Sequence, residues 1–433
     1  MSERDDAGIN HEEIDQIELP ADEKRKRTDA WRIVIMRGLR SFAYGLLAVL
    51  LAVALNNVGF SPAAIGVLIT VSLVGDFVGT YVISIYADRF GRRRTLVVLA
   101  LLMAATGIVF GMTTIYAVLL PAAFFGTLGT TASETAPFLP IEQAMLPQTS
   151  QPSQRTALFA RYNLVATFAG AAGALAAALP DLLARLFNVP LPIGIRLIFG
   201  LYAGVGLVVA WLALWLSHAV EAPAQVELHT SSYIQRLVPS LGSARGAVLR
   251  LSALFSVDAF AGGLVVQSLF VLFFHLRFGV PLAGLALLFF AANTCSALSF
   301  LAAAPLARRF GLLNTMVFTH LPSNVLLILV ALMPTFPLAV VLLLLRQMLS
   351  QMDVPTRQAY TMALVAPEVR TATASVTSLA RSAGSATSPV FAGLLLQGPG
   401  LLFGLPLIVA GTLKSAYDLS LWAIFRRVRL KDG

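Results

Sequence analysis

A few ionisable side chains stand inside otherwise apolar stretches: Asp76, Glu134, Asp258, Arg346, Asp353, Arg381, Lys414 and Asp418. If those stretches are membrane helices, a charge at the bilayer centre costs at least ~2.5 kcal/mol. Charges placed there serve as proton carriers, ion pairs or ligands for a polar solute. Depth follows from a helical rise of about 1.5 Å per residue. Asp76 lies about 18 Å along a helix from the charged turn at Asp88, near a bilayer midplane. Asp258 lies roughly 12 Å into its helix, followed by Gly262, Gly263 and Gln267, a small and polar face. Arg346 is again near mid-depth, with Asp353 two turns later on roughly the same face. Arg381 is about 14 Å into its helix. Lys414 and Asp418 share a helix face and read as a self-neutralising pair. Arg37 and Arg40 lie near a helix end, where long side chains reach the interface. His320, Pro322 and Asn324 read as a kink and packing cluster. Glu134 precedes Pro137 and Pro140, where a kink is expected.

The elements that must hold these residues follow from composition. The 433 residues are 57% hydrophobic and 12% charged, and the mean hydropathy is +0.79. Ordinary soluble domains are about a quarter charged. The apolar runs are continuous, whereas a barrel would show ~10-residue alternating segments. The expected fold class is therefore an all-α membrane protein. A net charge of +9 invites a nucleic-acid reading. The basic residues sit in alternate loops, however, which is a topology signal and argues against one. Cys295 is the single cysteine, so no intramolecular disulfide or cysteine metal site is expected. No nucleotide-binding loop and no nucleophile–base pair stand out, so neither ATP drive nor an enzyme is expected. The first thirty residues are too charged for a signal peptide.

Helices are expected over 33–56, 62–86, 94–115, 117–140, 157–180, 195–217, 250–275, 281–304, 313–334, 336–354, 372–396 and 401–425. The basic loops place both termini in the cytoplasm, which requires an even number of spans. The expected organisation is a disordered tail over 1–30, a six-helix bundle over 31–217 and a cytoplasmic loop over 218–248. A second six-helix bundle over 249–425 and a basic tail over 426–433 follow.

One charged phrase punctuates the first bundle: Asp88-Arg89-Phe90-Gly91-Arg92-Arg93-Arg94. It returns as Arg308-Arg309-Phe310-Gly311. At a spacing of 220, Gly59 falls on Gly279, Arg89 on Arg309, Gly91 on Gly311 and Thr95 on Thr315. At a spacing of 215, Pro140 falls on Pro355, Glu142 on Arg357 and Arg155-Thr156-Ala157 on Arg370-Thr371-Ala372. Two ordered blocks at nearly one spacing mark two parallel copies of one unit, a known way to build an alternating-access transporter.

With the motif Asp88, Arg89, Gly91, Arg92, Arg93 and its repeat, the chain resembles the major facilitator superfamily. It departs at Ser84, where the family motif has glycine. The stretch Met352–Tyr360 looks like a bacterial subgroup of uncharacterised substrate. The resemblance implies twelve helices in two pseudo-symmetric bundles, a monomer and no cofactor, with the proton gradient as energy source. It places Asp258, Arg346 and Glu134 on cavity-lining helices, with Gln267, Asn293 and Asp353 among the cavity's polar groups. Asp76 and Arg381 would face each other across the two halves, and Lys414–Asp418 would be an outer-helix pair. Asp88 would engage the start of the eleventh helix at Thr371 to Thr373 when the pore faces outward. Arg308 replaces the acid in the second copy, so that latch is not duplicated. Glu142 and Arg357, opposite in sign, are expected to make contacts between the halves. The expected function is secondary active transport of a small organic solute in the bacterial inner membrane, by proton-coupled efflux of a drug or metabolite. Asp258 is the first expected coupling acid and Asp76 the second. A proton-coupled importer, a uniporter and a transport-inactive sensor or scaffold are the alternatives. Membrane lipid is the other expected partner.

Overall fold

The structure is a computed structural model and describes residues 21–131, 137–151, 154–221, 244–366, 369–398 and 403–428. Among the described residues it is all helical, with no strand. The first half holds α1 (Ala21–Asn57), α2 (Pro62–Phe90), α3 (Arg92–Met112) and α4 (Tyr116–Phe125). It continues with α5 (Phe138–Met145), α6 (Arg155–Ala176), α7 (Leu179–Phe187) and α8 (Leu191–Leu214). The second half holds α9 (Arg245–Leu264), α10 (Gln267–Phe278), α11 (Leu282–Phe310) and α12 (Leu312–Leu332). After these come α13 (Phe336–Ser350), α14 (Asp353–Ala363), α15 (Arg370–Thr387), α16 (Pro389–Leu395) and α17 (Leu405–Phe425). Nine spans among the described residues are long and apolar enough to cross a membrane. The chain is a multi-pass membrane protein.

The repeat is visible in the backbone. The glycines with positive φ among the described residues are Gly59, Gly91, Gly279 and Gly311, two pairs at the 220-residue spacing. Gly91 (φ +100°) joins α2 to α3, and Gly311 (φ +83°) joins α11 to α12. A side chain is strained in this region, so glycine makes both turns. Ser61 caps α2 by accepting from the Ala64 amide at 3.3 Å, with Pro62 at the first helical position.

Several expected helices are divided or displaced. The first starts at Ala21, so the last ten residues of the expected tail are helical. The fourth, expected over 117–140, ends at Phe125, and Gly126 to Thr131 are not helical. The glycines of this segment are closely packed. A Cβ on Gly126 would stand 1.7 Å from Thr106 Oγ1, and one on Gly129 would stand 2.4 Å from Tyr44 Cα. Non-helical backbone at membrane depth is tolerated where protein buries it or a cavity solvates it. The seventh divides between Leu264 and Gln267, the tenth at Gln351 and Met352, and the eleventh at Ser388 before Pro389.

Burial tells which helices are central. The apolar window of α1 is 89% buried and that of α9–α10 is 72% buried, against 28% for α13–α14. The half-exposed helices turn Leu, Val and Phe outward, as expected of a lipid-facing surface. The halves meet toward the end away from the Gly91 turn. Gly66 and Gly393 sit in close approach there, and the Val390 amide donates to Thr70 Oγ1 at 2.9 Å. Ser268 Oγ donates to the Ala48 carbonyl at 3.0 Å, and Asp181 Oδ2 accepts from the Ala283 amide at 2.8 Å.

Candidate functional site

A compact cluster of buried charges stands in each half, with Asp76, Arg346 and Asp418 outside both. In the first half Arg40 sits on α1 and Glu142 on α5, both fully buried. The guanidinium forks onto the carboxylate, with Nη1–Oε1 at 2.6 Å and Nη2–Oε2 at 2.7 Å. Tyr162 donates its hydroxyl to Oε2 at 2.7 Å, and the Phe138 ring lies 4.2 Å from the Arg40 guanidinium carbon. A planar fork matched to a carboxylate is the strongest common form of such a pair. Its expected interfacial place for Arg40 is therefore corrected: Arg40 points inward, because Glu142 offers it a charged partner on α5.

In the second half Asp258 on α9 is the hub. Its Oδ1 accepts from Lys414 Nζ at 2.6 Å. Its Oδ2 accepts from Arg381 Nη1 at 3.0 Å and Arg357 Nη1 at 3.4 Å. Arg357 also donates to Asp353 Oδ2 at 2.6 Å, one helical turn away on α14. The Phe255 ring lies 5.7 Å from the Arg357 guanidinium and 6.0 Å from that of Arg381. The Arg381 side chain is 32% exposed, whereas that of Asp258 is 3% exposed, so the cluster reaches the surface through Arg381.

Three expected pairings and one expected kink cluster are corrected. Arg381 does not pair with Asp76; it is drawn to Asp258 in its own half. Lys414 does not pair with Asp418 one turn along; Asp258 accepts it instead. Asp418 is satisfied by α12, with His320 Nδ1 at 3.0 Å and Asn324 Nδ2 at 2.8 Å, so the presumed kink cluster holds an acid. Glu142 and Arg357 do not join the halves, because each is held within its own. Lys414, Asp418 and Glu142 find partners on other helices, Arg381 finds Asp258 in its own half, and Arg357 takes Asp353 one turn away on its own helix as well as Asp258. A buried charge takes the partner that also satisfies its hydrogen bonds.

Asp76 differs from the other acids. It is buried on α2, and among the described residues no cation or hydrogen-bond donor meets its carboxylate. Ser72, one turn before it, is also buried with its hydroxyl unpaired. A Cβ on the adjacent Gly75 would stand 1.9 Å from the Phe124 carbonyl oxygen, so the end of α4 packs directly on this turn of α2. Arg346 has no carboxylate partner among the described residues either, and its Nη1 donates to Gln347 Oε1 at 2.7 Å. Glu134 lies outside the described residues.

At the charged turn, Asp88 accepts from Arg92 Nε at 2.7 Å, one turn along. Arg92 Nη1 also donates to the Ala144 carbonyl at 3.2 Å. Glu221, which sequence reasoning missed, caps α3: its carboxylate accepts from the Arg92 amide at 2.7 Å and the Arg93 amide at 3.2 Å. A carboxylate at a helix start is favoured by free amides and the helix dipole. Arg308 and Arg309 are exposed at the equivalent turn. A pocket of about 390 Å³ lies away from all these charges, lined by Asn57, Phe60, Met112, Leu119, Arg196 and Phe199.

One signal for Arg40 was present. Glu142 and Arg357 are repeat equivalents of opposite sign, so a basic counterpart of Asp258 was required in the first half. Close-packed positions supply the register: Gly45 meets Gly170, and Gly263 meets Ser385. Gly45 and Gly263 are 218 positions apart, as are Arg40 and Asp258.

The comparisons agree with this architecture. The model of the Major Facilitator Superfamily matches residues 33–389. An uncharacterised membrane protein of Saccharomyces cerevisiae is 28% identical over 419 residues, covering 91% of this chain and 93% of its own. A crystal structure of the nucleoside transporter NupG superposes with a TM-score of 0.72 at 12% identity, over 92% of this chain and 99% of that one. A D-xylose–proton symporter gives a TM-score of 0.70 at 14% identity, over 90% and 97%. At these identities the solved structures show the fold alone. The family and these neighbours are transporters rather than enzymes. A duplicated glycine turn at one spacing, an all-helical membrane fold and a family match over most of the length lead to one conclusion: the chain belongs to the Major Facilitator Superfamily of membrane transporters.

Proposed function

We propose that this transporter is a proton-coupled exporter of a small organic solute, working by alternating access, with Asp76 rather than Asp258 as the proton carrier. The observation that carries this is the contrast among the membrane acids. Glu142, Asp258, Asp353 and Asp418 are each satisfied by basic or amide side chains. Asp76 is buried with none among the described residues. A proton is the smallest counter-ion that can neutralise such a carboxylate, and it can be delivered and withdrawn as access alternates. Asp258 by contrast would have to lose three cations before a proton could replace them. The meeting of the halves at one end, through Gly66, Gly393 and Ser268, supports a state closed at that end. Both termini in the cytoplasm, a bacterial cytoplasmic membrane, a monomeric unit and outward movement of solute belong to the same proposal. The crowding of basic residues at the Gly91 turn supports the orientation.

The test uses proteoliposomes with a pH-sensitive dye inside and a panel of sugars, nucleosides, peptides and organic acids. A solute that moves protons with the wild type should not do so with Asp76→Asn, while exchange of labelled for unlabelled solute persists. Proton-driven movement that survives in Asp76→Asn, or that disappears selectively in Asp258→Asn, sinks the assignment. Net import in these assays would overturn the direction.

A further inference from the structure

The second half carries a set of buried N–H donors without acceptors at one depth of the bundle. Arg346 Nε on α13, Gln267 Nε2 on α10 and Asn293 Nδ2 on α11 are each buried with no hydrogen-bond partner among the described residues. Orphaned buried donors are rare in native proteins, and each needs a physical reason.

Their common depth follows from the aromatic contacts above them. Phe278, the last residue of α10, packs against Phe336, the first of α13, with ring centroids 5.9 Å apart. Phe274 on α10 meets Phe289 on α11 at 6.3 Å. The three helices are therefore level at that end. Arg346, Asn293 and Gln267 lie about 15–17 Å inward from it at the helical rise per residue. Phe270 and Phe289 touch edge to face at 5.9 Å. Gln267 lies three positions from Phe270 and Asn293 four from Phe289, so each amide stands one turn below one ring of that pair. The rings close the bundle above, and the donors lie beneath the seal.

The guanidinium of Arg346 stays charged, and the two amides set donors beside it, with carbonyl oxygens that also take no hydrogen bond among the described residues. The nearest acid on the Arg346 face, Asp353, is occupied by Arg357 at 2.6 Å. Arg40, Arg357, Arg381 and Lys414 each have a carboxylate inside the protein. Arg346 has none among the described residues.

We propose that Arg346, Gln267 and Asn293 bind an anionic oxygen group of the transported solute, a carboxylate, which makes the solute an organic acid. This rests on the reading of the chain as a solute transporter and names its substrate class. The guanidinium supplies charge and a planar fork for the carboxylate. The two amides supply directional donors that an apolar solute cannot satisfy. The aromatic seal excludes water above the bound group, so the charge–charge attraction is not screened there.

The test is binding, which does not depend on coupling. The purified full-length protein is heated with a panel of mono- and dicarboxylates and with the primary amide of each. At least one carboxylate should raise the melting temperature in a concentration-dependent way, and its amide should not. Arg346→Met should abolish that shift. Gln267→Leu and Asn293→Leu should each weaken binding about tenfold, the loss of a good hydrogen bond to a charged group. Arg346→Met should also melt higher than the wild type without ligand, because it removes an uncompensated buried charge. No carboxylate-selective shift across the panel, or a shift that persists in Arg346→Met, overturns the proposal. A lower melting temperature of unliganded Arg346→Met also overturns it, since the guanidinium would then have an internal counter-ion. If carboxylates bind through Arg346 while Asp76→Asn keeps proton-driven movement, the coupling assignment fails and this site stands.

Discussion

The two halves hold the same buried bond with its charges reversed. In the first, a base on α1 meets an acid on α5; in the second, an acid on α9 meets a base on α14. The difference lies in what surrounds the bond. Arg40 and Glu142 satisfy each other through two short hydrogen bonds, with Tyr162 taking a further position on the acid. Phe138 closes the Arg40 side, and nothing in the group reaches the surface. The repeat puts Asp353 where the first half has Phe138. That extra acid takes the closest contact with Arg357 and leaves the Arg357–Asp258 contact long at 3.4 Å. Lys414 and Arg381 then fill Asp258, and Arg381 remains partly exposed. A pair whose hydrogen bonds are all used has one arrangement. The second network has more cations than one acid holds closely and one member at the surface. The first half is a closed pair and the second an open network, which we expect to rearrange more readily.

The largest effect should come from breaking the closed pair. Arg40→Met leaves Glu142 buried without a cation, and loss of one partner of a buried pair costs about 3–5 kcal/mol. Thermal unfolding in detergent should show it, and a variant as stable as the wild type would mean that the pair carries no load. Asp258→Asn should cost up to the same amount, about 3–5 kcal/mol, because Lys414 is left buried without a carboxylate. Arg357 keeps Asp353 in that variant, and the amide oxygen still accepts one bond. If the network rearranges during transport, this variant should lose solute exchange while remaining folded. A folded Asp258→Asn with normal exchange would place the whole second cluster in the structural class of the first. The smallest effect belongs to Arg381→Gln. Its partly exposed side chain contributes under about 1 kcal/mol to stability. Its expected signature is a changed solute affinity with an unchanged melting temperature, and a large loss of stability would show that the cluster is as closed as Arg40–Glu142.

Parts of this comparison were legible in the sequence. The turns at Gly91 and Gly311 were, because a turn between two helices is local and needs a residue free to adopt positive φ. The buried acids and bases were, because a charge in an apolar run is conspicuous. Their partners were not. Spacing assigned Lys414 to Asp418, since an i,i+4 pair needs no knowledge of the fold. In the folded chain α9 presents Asp258 to Lys414, while α12 presents His320 and Asn324 to Asp418. Arg40 was misplaced for a related reason. A long basic side chain near a helix end reaches the interface by default, unless an acid inside offers more. The unwound segment at Gly126–Thr131 was missed because its glycines answer to distant neighbours, Thr106 and Tyr44.

The sequence by itself determined that the chain is a helical membrane protein, where its main turns fall, that it is built from two copies of one unit and which residues pay the cost of charge in the bilayer. Those properties are set by composition and by neighbours within a turn or two. Only the tertiary structure decided which charges meet and, among the described residues, which acid stands without a counter-ion and which donors are left without acceptors. Pairing energy between buried groups depends on separations of a few ångströms across helices more than 100 residues apart in sequence, as with Arg40 and Glu142. Such separations are set by helix packing, and no local pattern carries them.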